Sequence, residues 1–270
     1  MISGARYGGE LFWSRLRAVI CILAVLYLVA PLIIVLIISF SSAPFLTFPP
    51  PGFSMQWYQN LFGDPTWFGS LLTSVKILVP TAIIATAIGT AASYGLARSN
   101  FIGKPLVTGF LMAPMVVPVI IVAIGVFGVF RKVGLFGNLS GLIIAHTVLT
   151  VPYVVATVSA ALTVVDQRLE QAAMTLGATP LVTFRRITLP LILPAILSGL
   201  LFAMVISFDE LVVSLFISTP TVRPVTVQMW SNIRGAVDPT IAAVATIIFL
   251  FSLLALVADI IARKRTRLES

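Results

Sequence analysis

Six stretches in which polar residues almost vanish alternate along the chain with short segments where Arg, Lys, Asp, Gln and Pro gather. The apolar stretches cover residues 19–40, 70–97, 106–130, 142–162, 191–217 and 240–262. Each holds about 20 or more residues, the length an α-helix needs to cross a hydrocarbon layer about 30 Å thick. The pattern predicts an all-α membrane protein with six transmembrane helices. Almost nothing is left outside them for a second folded unit, so residues 1–270 read as a single transmembrane domain. Its larger polar segments fall at about 41–69, 164–190 and 218–239.

Composition excludes a water-soluble alternative. The chain is 59% hydrophobic and 10% charged, against about 45–50% and 25% for soluble domains. The net charge of +8 would suggest nucleic acid in a soluble protein, but here the positions of the cations decide. Twelve of the 17 Lys and Arg lie on one side of the six spans: Arg6, Arg15, Arg17, Arg98, Lys104, Arg168, Arg185, Arg186, Arg263, Lys264, Arg265 and Arg267. By the positive-inside rule that side is the cytoplasm. Both termini and the 164–190 segment are then cytoplasmic, the 41–69 and 218–239 segments are external, and the basic balance reports topology in a lipid membrane and no nucleic-acid footprint. The first apolar run exceeds the roughly 7–15 residues of a signal-peptide core and reads as a retained helix. Cys21, the single cysteine, excludes a disulfide framework.

Several segments carry local signals. Pro49-Pro50-Pro51 makes a stiff, non-helical outer connector. Ser54 is placed to cap a short interfacial helix that puts Trp57, Tyr58, Leu61 and Phe62 on one face. Pro114 and Pro118 interrupt the third span at a depth where lipid cannot replace the lost hydrogen bonds. His146 has no Cys, Asp or Glu near it in sequence to complete a metal set, so a packed, hydrogen-bonded role is expected. Asp238-Pro239 reads as the start signal of the sixth span, and Asp259 is four residues from Arg263, the spacing of a helical ion pair.

The most patterned polar stretch runs from Asp166 to Pro180. Asp166 can cap a helix on which Leu169, Ala172, Ala173 and Leu176 repeat at the spacing of one apolar face. Gly177 permits the left-handed turn that ends it, and Pro180 prevents continuation. A small-residue face between sharp stops suits close docking against a partner protein; the alternative is a helix lying in the membrane interface. Arg185-Arg186-Ile187-Thr188-Leu189-Pro190 then leads into the fifth span.

Gln171-Ala172-Ala173, Gly177 and Ile187-Thr188-Leu189-Pro190 resemble the EAA loop of ABC importer permeases, in which Glu-Ala-Ala is followed at fixed intervals by Gly, Ile and Leu-Pro. Every interval matches. Gln171 stands where the motif has Glu, and the carboxylate of Glu170 next to it points about 100° away around the helix. The outer Gly52-Phe53-Ser54 segment, the double-proline third span and Phe208-Asp209-Glu210-Leu211-Val212-Val213-Ser214 resemble spermidine/putrescine-type permeases. The resemblance implies a type I importer fold, with a second homologous permease subunit, two cytoplasmic ATPase subunits and an external substrate-binding protein as partners, in a bacterial inner membrane. It implies that Glu170, Gln171, Ala172, Ala173 and Gly177 couple the chain to an ATPase. The sequence itself has no G-x-x-x-x-G-K-[ST] phosphate loop, so ATP and Mg are expected on partner subunits, with no cofactor, metal or catalytic residue here. Opines, aminophosphonates and other small solutes are alternative cargoes within the same class. A stand-alone secondary transporter or channel is the rival from another class, and an intramembrane enzyme has no set of residues to support it.

Asp209 and Glu210 are the candidate substrate-path residues. A carboxylate at the centre of a membrane helix costs about 2.5–3.5 kcal/mol on insertion scales, so two in succession call for a function. On a continuous helix Glu210 shares a stripe with Gly199, Ala203, Ser207 and Ser214, whereas Asp209 shares its side with Phe202, Val205, Val212, Val213 and Phe216. The expectation is that Glu210 meets a passing ammonium group and that Asp209 serves a gate or a hydrogen bond between subunits.

Overall fold

The computed structural model describes residues 4–235 and 237–268, with side chains over 13–235 and 237–261. In chain order its elements are α1 (Gly4–Ile38), α2 (Gln56–Gly63), α3 (Pro65–Arg98), α4 (Lys104–Val116), α5 (Val119–Val133), α6 (Leu139–Val164), α7 (Gln167–Thr175), α8 (Pro180–Thr183), a π-helical turn (Phe184–Thr188), α9 (Leu189–Asp209), α10 (Val212–Ile217), α11 (Val225–Arg234) and α12 (Thr240–Leu268). Among the described residues, five segments are long and apolar enough to cross a membrane unbroken: Trp13–Ile38, Pro65–Arg98, Leu139–Val164, Pro180–Asp209 and Thr240–Ile261. The expected third span is present as two helices, α4 and α5, bent by 104°. Two compact units result, one formed by the residues up to Gly63 with Asn232–Ile247 and one by Asp64–Ser231 with the residues from Ile248.

The bend in the third span falls at Pro118 and not at Pro114, which stays inside α4. Pro114 has no N–H for the carbonyl of Phe110, and Pro118 has none for that of Pro114, so two acceptors on one face go unserved in succession. Val117, before the second proline, is pushed to extended backbone (φ −71°, ψ 132°), as residues preceding proline are. Pro31, Pro80, Pro152 and Pro194 lie singly inside helices.

In the first unit, Ser54 caps α2 by accepting the N–H of Gln56 (3.1 Å). Trp57 Nε1 donates to the Ser41 carbonyl (2.8 Å) and the Tyr58 hydroxyl meets Ser39 Oγ (2.9 Å). These bonds tie α2 to the turn that follows α1. Leu61 is buried while Phe62 is exposed, so the aromatic face is narrower than the sequence period suggests. Asp238 caps α12 through the N–H of Thr240 (2.8 Å), as its position before Pro239 predicts. Apolar side chains from Val19 to Ile34 along α1 stand exposed, a surface suited to lipid.

The second unit is built on α3, α6 and α9, which converge at Val154. A Cβ on Gly89 of α3 would lie 2.7 Å from Val154 Cβ, and one on Gly199 of α9 would lie 3.2 Å from Val154 Cγ1. Close approach of membrane helices depends on such small residues, since lipid tails offer no hydrophobic drive for helices to associate. Ser93 of α3 adds a bond across the contact, donating to the carbonyl of Val155 (3.2 Å). A second core joins α5, α6 and α10 through Ala123, Leu142, Ala145, Val213 and Ile217. At the outer end of α3, Asp64 accepts the N–H groups of Thr66 (2.6 Å) and Trp67 (3.3 Å). Those bonds, Thr66 foremost, hold its carboxyl below the usual aspartate range. In this unit Asp259 accepts a bond from Ser198 Oγ; its expected partner, the side chain of Arg263, lies outside the described residues.

Candidate functional site

The fifth span expected at residues 191–217 is not one helix. α9 stops at Asp209, Glu210 is extended (φ −68°, ψ 114°) and α10 begins at Val212. The cause is the Glu210 carboxylate, whose Oε1 accepts the N–H of Val213 (2.8 Å) and whose Oε2 accepts that of Ser214 (3.0 Å). In a continuous helix those donors would serve the carbonyls of residues 209 and 210. By taking them, the side chain caps α10 and frees the backbone to bend. Thr226 Oγ1 serves the carbonyl of Glu210 in turn (3.1 Å).

The junction rests on a buried polar cluster. His146 of α6 meets Ser207 Oγ of α9 through Nδ1 (3.0 Å) and Ser214 Oγ of α10 through Nε2 (2.9 Å). Glu210 Oε2 lies 3.7 Å from the same Nε2. One imidazole therefore bridges the two halves of the broken span, the packed role expected of it. The stripe of Ser207, Glu210 and Ser214 read from the sequence does assemble, but it faces the protein's own histidine.

This geometry corrects the premise that Asp209 and Glu210 sit 100° apart on one helix. Glu210, with its side chain 8% exposed, is engaged by two backbone donors, while Asp209 at the last turn of α9 is exposed. The carboxylate presented by the bend is that of Asp209.

At the other end of the unit, α7 takes the expected form. Asp166 accepts the N–H of Arg168 (2.9 Å), and Gly177 ends the helix with φ +89°. Leu169, Ala172, Leu176 and Gln171 are exposed and Ala173 is half-buried, so the small-residue face does not pack on this chain. Glu170 is the buried residue of the helix. Its carboxylate pairs with Arg98 at the end of α3 through three contacts of 2.9–3.1 Å and accepts Thr188 Oγ1 of the π turn (2.8 Å). Of the five expected coupling residues, Gln171, Ala172 and Gly177 form an exposed surface, Ala173 borders it, and Glu170 turns inward. Sequence reasoning missed Arg98 and Thr188 as its partners. The only signal for them was the cation closing the second span and the hydroxyl inside Ile-Thr-Leu-Pro.

A helical membrane domain with a broken span that presents one carboxylate, Asp209, and a loop helix held by a buried ion pair has the build of a transport permease. Residues 85–267 match the family described as binding-protein-dependent transport system inner membrane component, and the chain belongs to that family. It is similar to the spermidine/putrescine transport system permease protein PotC of Haemophilus influenzae, 35% identical over 88% of this chain and 93% of the relative. It is likewise 35% identical to the putrescine transport system permease protein PotI of Escherichia coli, over 87% of this chain and 86% of the relative. In fold it matches a bacterial ABC transporter involved in import of the acidic polysaccharide alginate, with a TM-score of 0.71 at 15% identity over 94% of this chain and 97% of that one. The chain is a permease component of an importer of this class, in which ATP hydrolysis is carried out by a separate subunit.

Proposed function

We propose that the chain is one of two homologous permease subunits of an importer for spermidine, putrescine or a related small polycation. Two cytoplasmic ATPases drive it and an external binding protein delivers the cargo. The observation that carries the cationic reading is the exposed Asp209 carboxylate at the bend of the fifth span, held there by the Glu210 cap. An acid kept at membrane depth is costly unless it meets a cation or a polar path. The names of the relatives support the same cargo class. An inside-negative potential adds about 2.3 kcal/mol per charge per 100 mV in favour of inward movement of a cation.

In this reading both termini and α7 are cytoplasmic. The exposed face of Gln171, Ala172 and Ala173 docks on an ATPase, with Gly177 setting the turn that limits it. ATP-driven closure of the ATPases then biases the permease pair between inward-open and outward-open states, a coupling between two sites through a two-state element. The test is ATPase stimulation of the reconstituted complex by its binding protein presented with spermidine, putrescine, an anionic aminophosphonate or a neutral sugar. Stimulation by the polyamines supports the reading, and stimulation by the anion or sugar alone overturns it.

A further inference from the structure

The Arg98, Glu170 and Thr188 cluster joins three elements far apart in sequence. Arg98 ends α3, Glu170 sits on α7, and Thr188 closes the π turn at the foot of α9. Arg98 Nε reaches Glu170 Oε1 (3.1 Å) and Oε2 (2.9 Å), Nη2 reaches Oε1 (2.9 Å), and Thr188 Oγ1 donates to Oε1 (2.8 Å). The Glu170 side chain is 7% and that of Arg98 13% exposed. Multidentate pairing of this kind fixes orientation as well as distance. One turn back along α3, Tyr94 packs edge-on against Phe184 of the π turn, with ring centroids 4.7 Å apart. α3 thus grips both the loop helix and the foot of α9.

We propose that Arg98 and Glu170 are positioning residues that keep α7, the inner end of α3 and the foot of α9 together as one lever throughout the transport cycle. The inference rests on the importer reading above. α3 runs unbroken over 34 residues, about 51 Å at 1.5 Å per residue. Near its far end Ser74 Oγ accepts the N–H of Val225 (2.8 Å), where α11 begins. Movement of α7 is therefore carried along a stiff rod to the opposite side of the unit. A loose α7 would still dock on an ATPase, because its docking face lies away from Glu170, but its movement would be lost in the loop. π-helical turns recur at functional sites, and this one lies where the lever joins α9.

The experiment uses the full complex in nanodiscs with Cys21→Ser as background. Nitroxide labels on Asn100→Cys and Gln167→Cys, both exposed positions, report the distance between the end of α3 and the start of α7, without nucleotide and with ATP plus vanadate. The expected result is one distance in both states, and two distances once Arg98→Gln or Glu170→Gln is added. In proteoliposomes those two variants should lower spermidine uptake per ATP hydrolysed by about tenfold, the scale of one lost charged contact, while ATPase activity itself persists. The reversed pair Arg98→Glu with Glu170→Arg should restore uptake per ATP. A distance that shifts with nucleotide when Arg98 and Glu170 are intact overturns the proposal. So does an unchanged ratio of uptake to hydrolysis in the single variants, or failure of the single variants to assemble with no recovery in the reversed pair. The label distance depends on nucleotide alone, so a complex that ignores polyamines refutes the cargo assignment and leaves the lever to be judged by that distance.

Discussion

Glu210 and Val213 are joined by a side-chain to backbone bond of 2.8 Å at the break between α9 and α10, and that bond separates the roles of two adjacent acids. Glu210 holds the bend, and Asp209 is what the bend presents. Asp209→Asn, similar in size but uncharged, should therefore slow polyamine uptake mainly through a higher KM, with normal assembly of the complex. Uptake kinetics in proteoliposomes check this, and an unchanged KM would remove Asp209 from the cation path.

Glu210→Ala should act on folding. It leaves the N–H groups of Val213 and Ser214 without their acceptor, at about 1–3 kcal/mol for an unserved buried group. The expected outcome is a lower thermal midpoint of the purified complex, with a smaller drop for Glu210→Gln, which keeps one carbonyl acceptor. Equal midpoints for the alanine variant and the parent would contradict the capping role.

His146→Ala removes the bridge between α9 and α10 and strands the hydroxyls of Ser207 and Ser214. A loss of about 1–3 kcal/mol is expected, read as a lowered midpoint. His146→Asn, which can keep one of the two bonds, should fall between. No loss in either variant would show that the imidazole contacts do not support the junction.

Gly177→Val places a β-branched side chain at φ +89°, which costs about 1 kcal/mol or more. Beyond its own chain neighbours no atom lies within 4 Å of the added Cβ, so any defect comes from the backbone and the exposed loop surface it shapes. ATPase stimulation should collapse while ligand binding by the isolated binding protein is unaffected. Full ATP-driven uptake by the Gly177→Val complex would contradict a docking role for this loop.

How much of this was legible in the sequence depended on range. The apolar segments and the helix caps at Asp166 and Asp238 follow from local periodicity and local donors, and the structure keeps them, but it splits the third span at Pro118 and the fifth at Glu210. The Pro118 break was legible as a hazard, but Pro114 and Pro118 each remove one backbone donor, and nothing local in the sequence chose between them. Glu210 escaped because helical periodicity assumes the helix it was used to describe, and the residue breaks that helix with its own side chain. Glu170 escaped for a different reason. Its partner Arg98 is 72 residues away, and nothing in the spacing of the loop indicates which face of α7 turns inward. The loop's small face was read as a docking surface from local pattern alone, and the structure leaves that face exposed.

Cation transport past Asp209 is the property on which the assigned role of this permease depends most directly. The direct measurement is ATP-dependent uptake of radiolabelled spermidine into proteoliposomes holding the complete complex and its binding protein, with the parent chain and Asp209→Asn compared side by side. Concentrative uptake by the parent that requires ATP and binding protein is expected, with a markedly raised KM in the variant. ATP-dependent uptake of neutral or anionic cargo but not of spermidine, or identical spermidine kinetics in both proteins, would contradict that role.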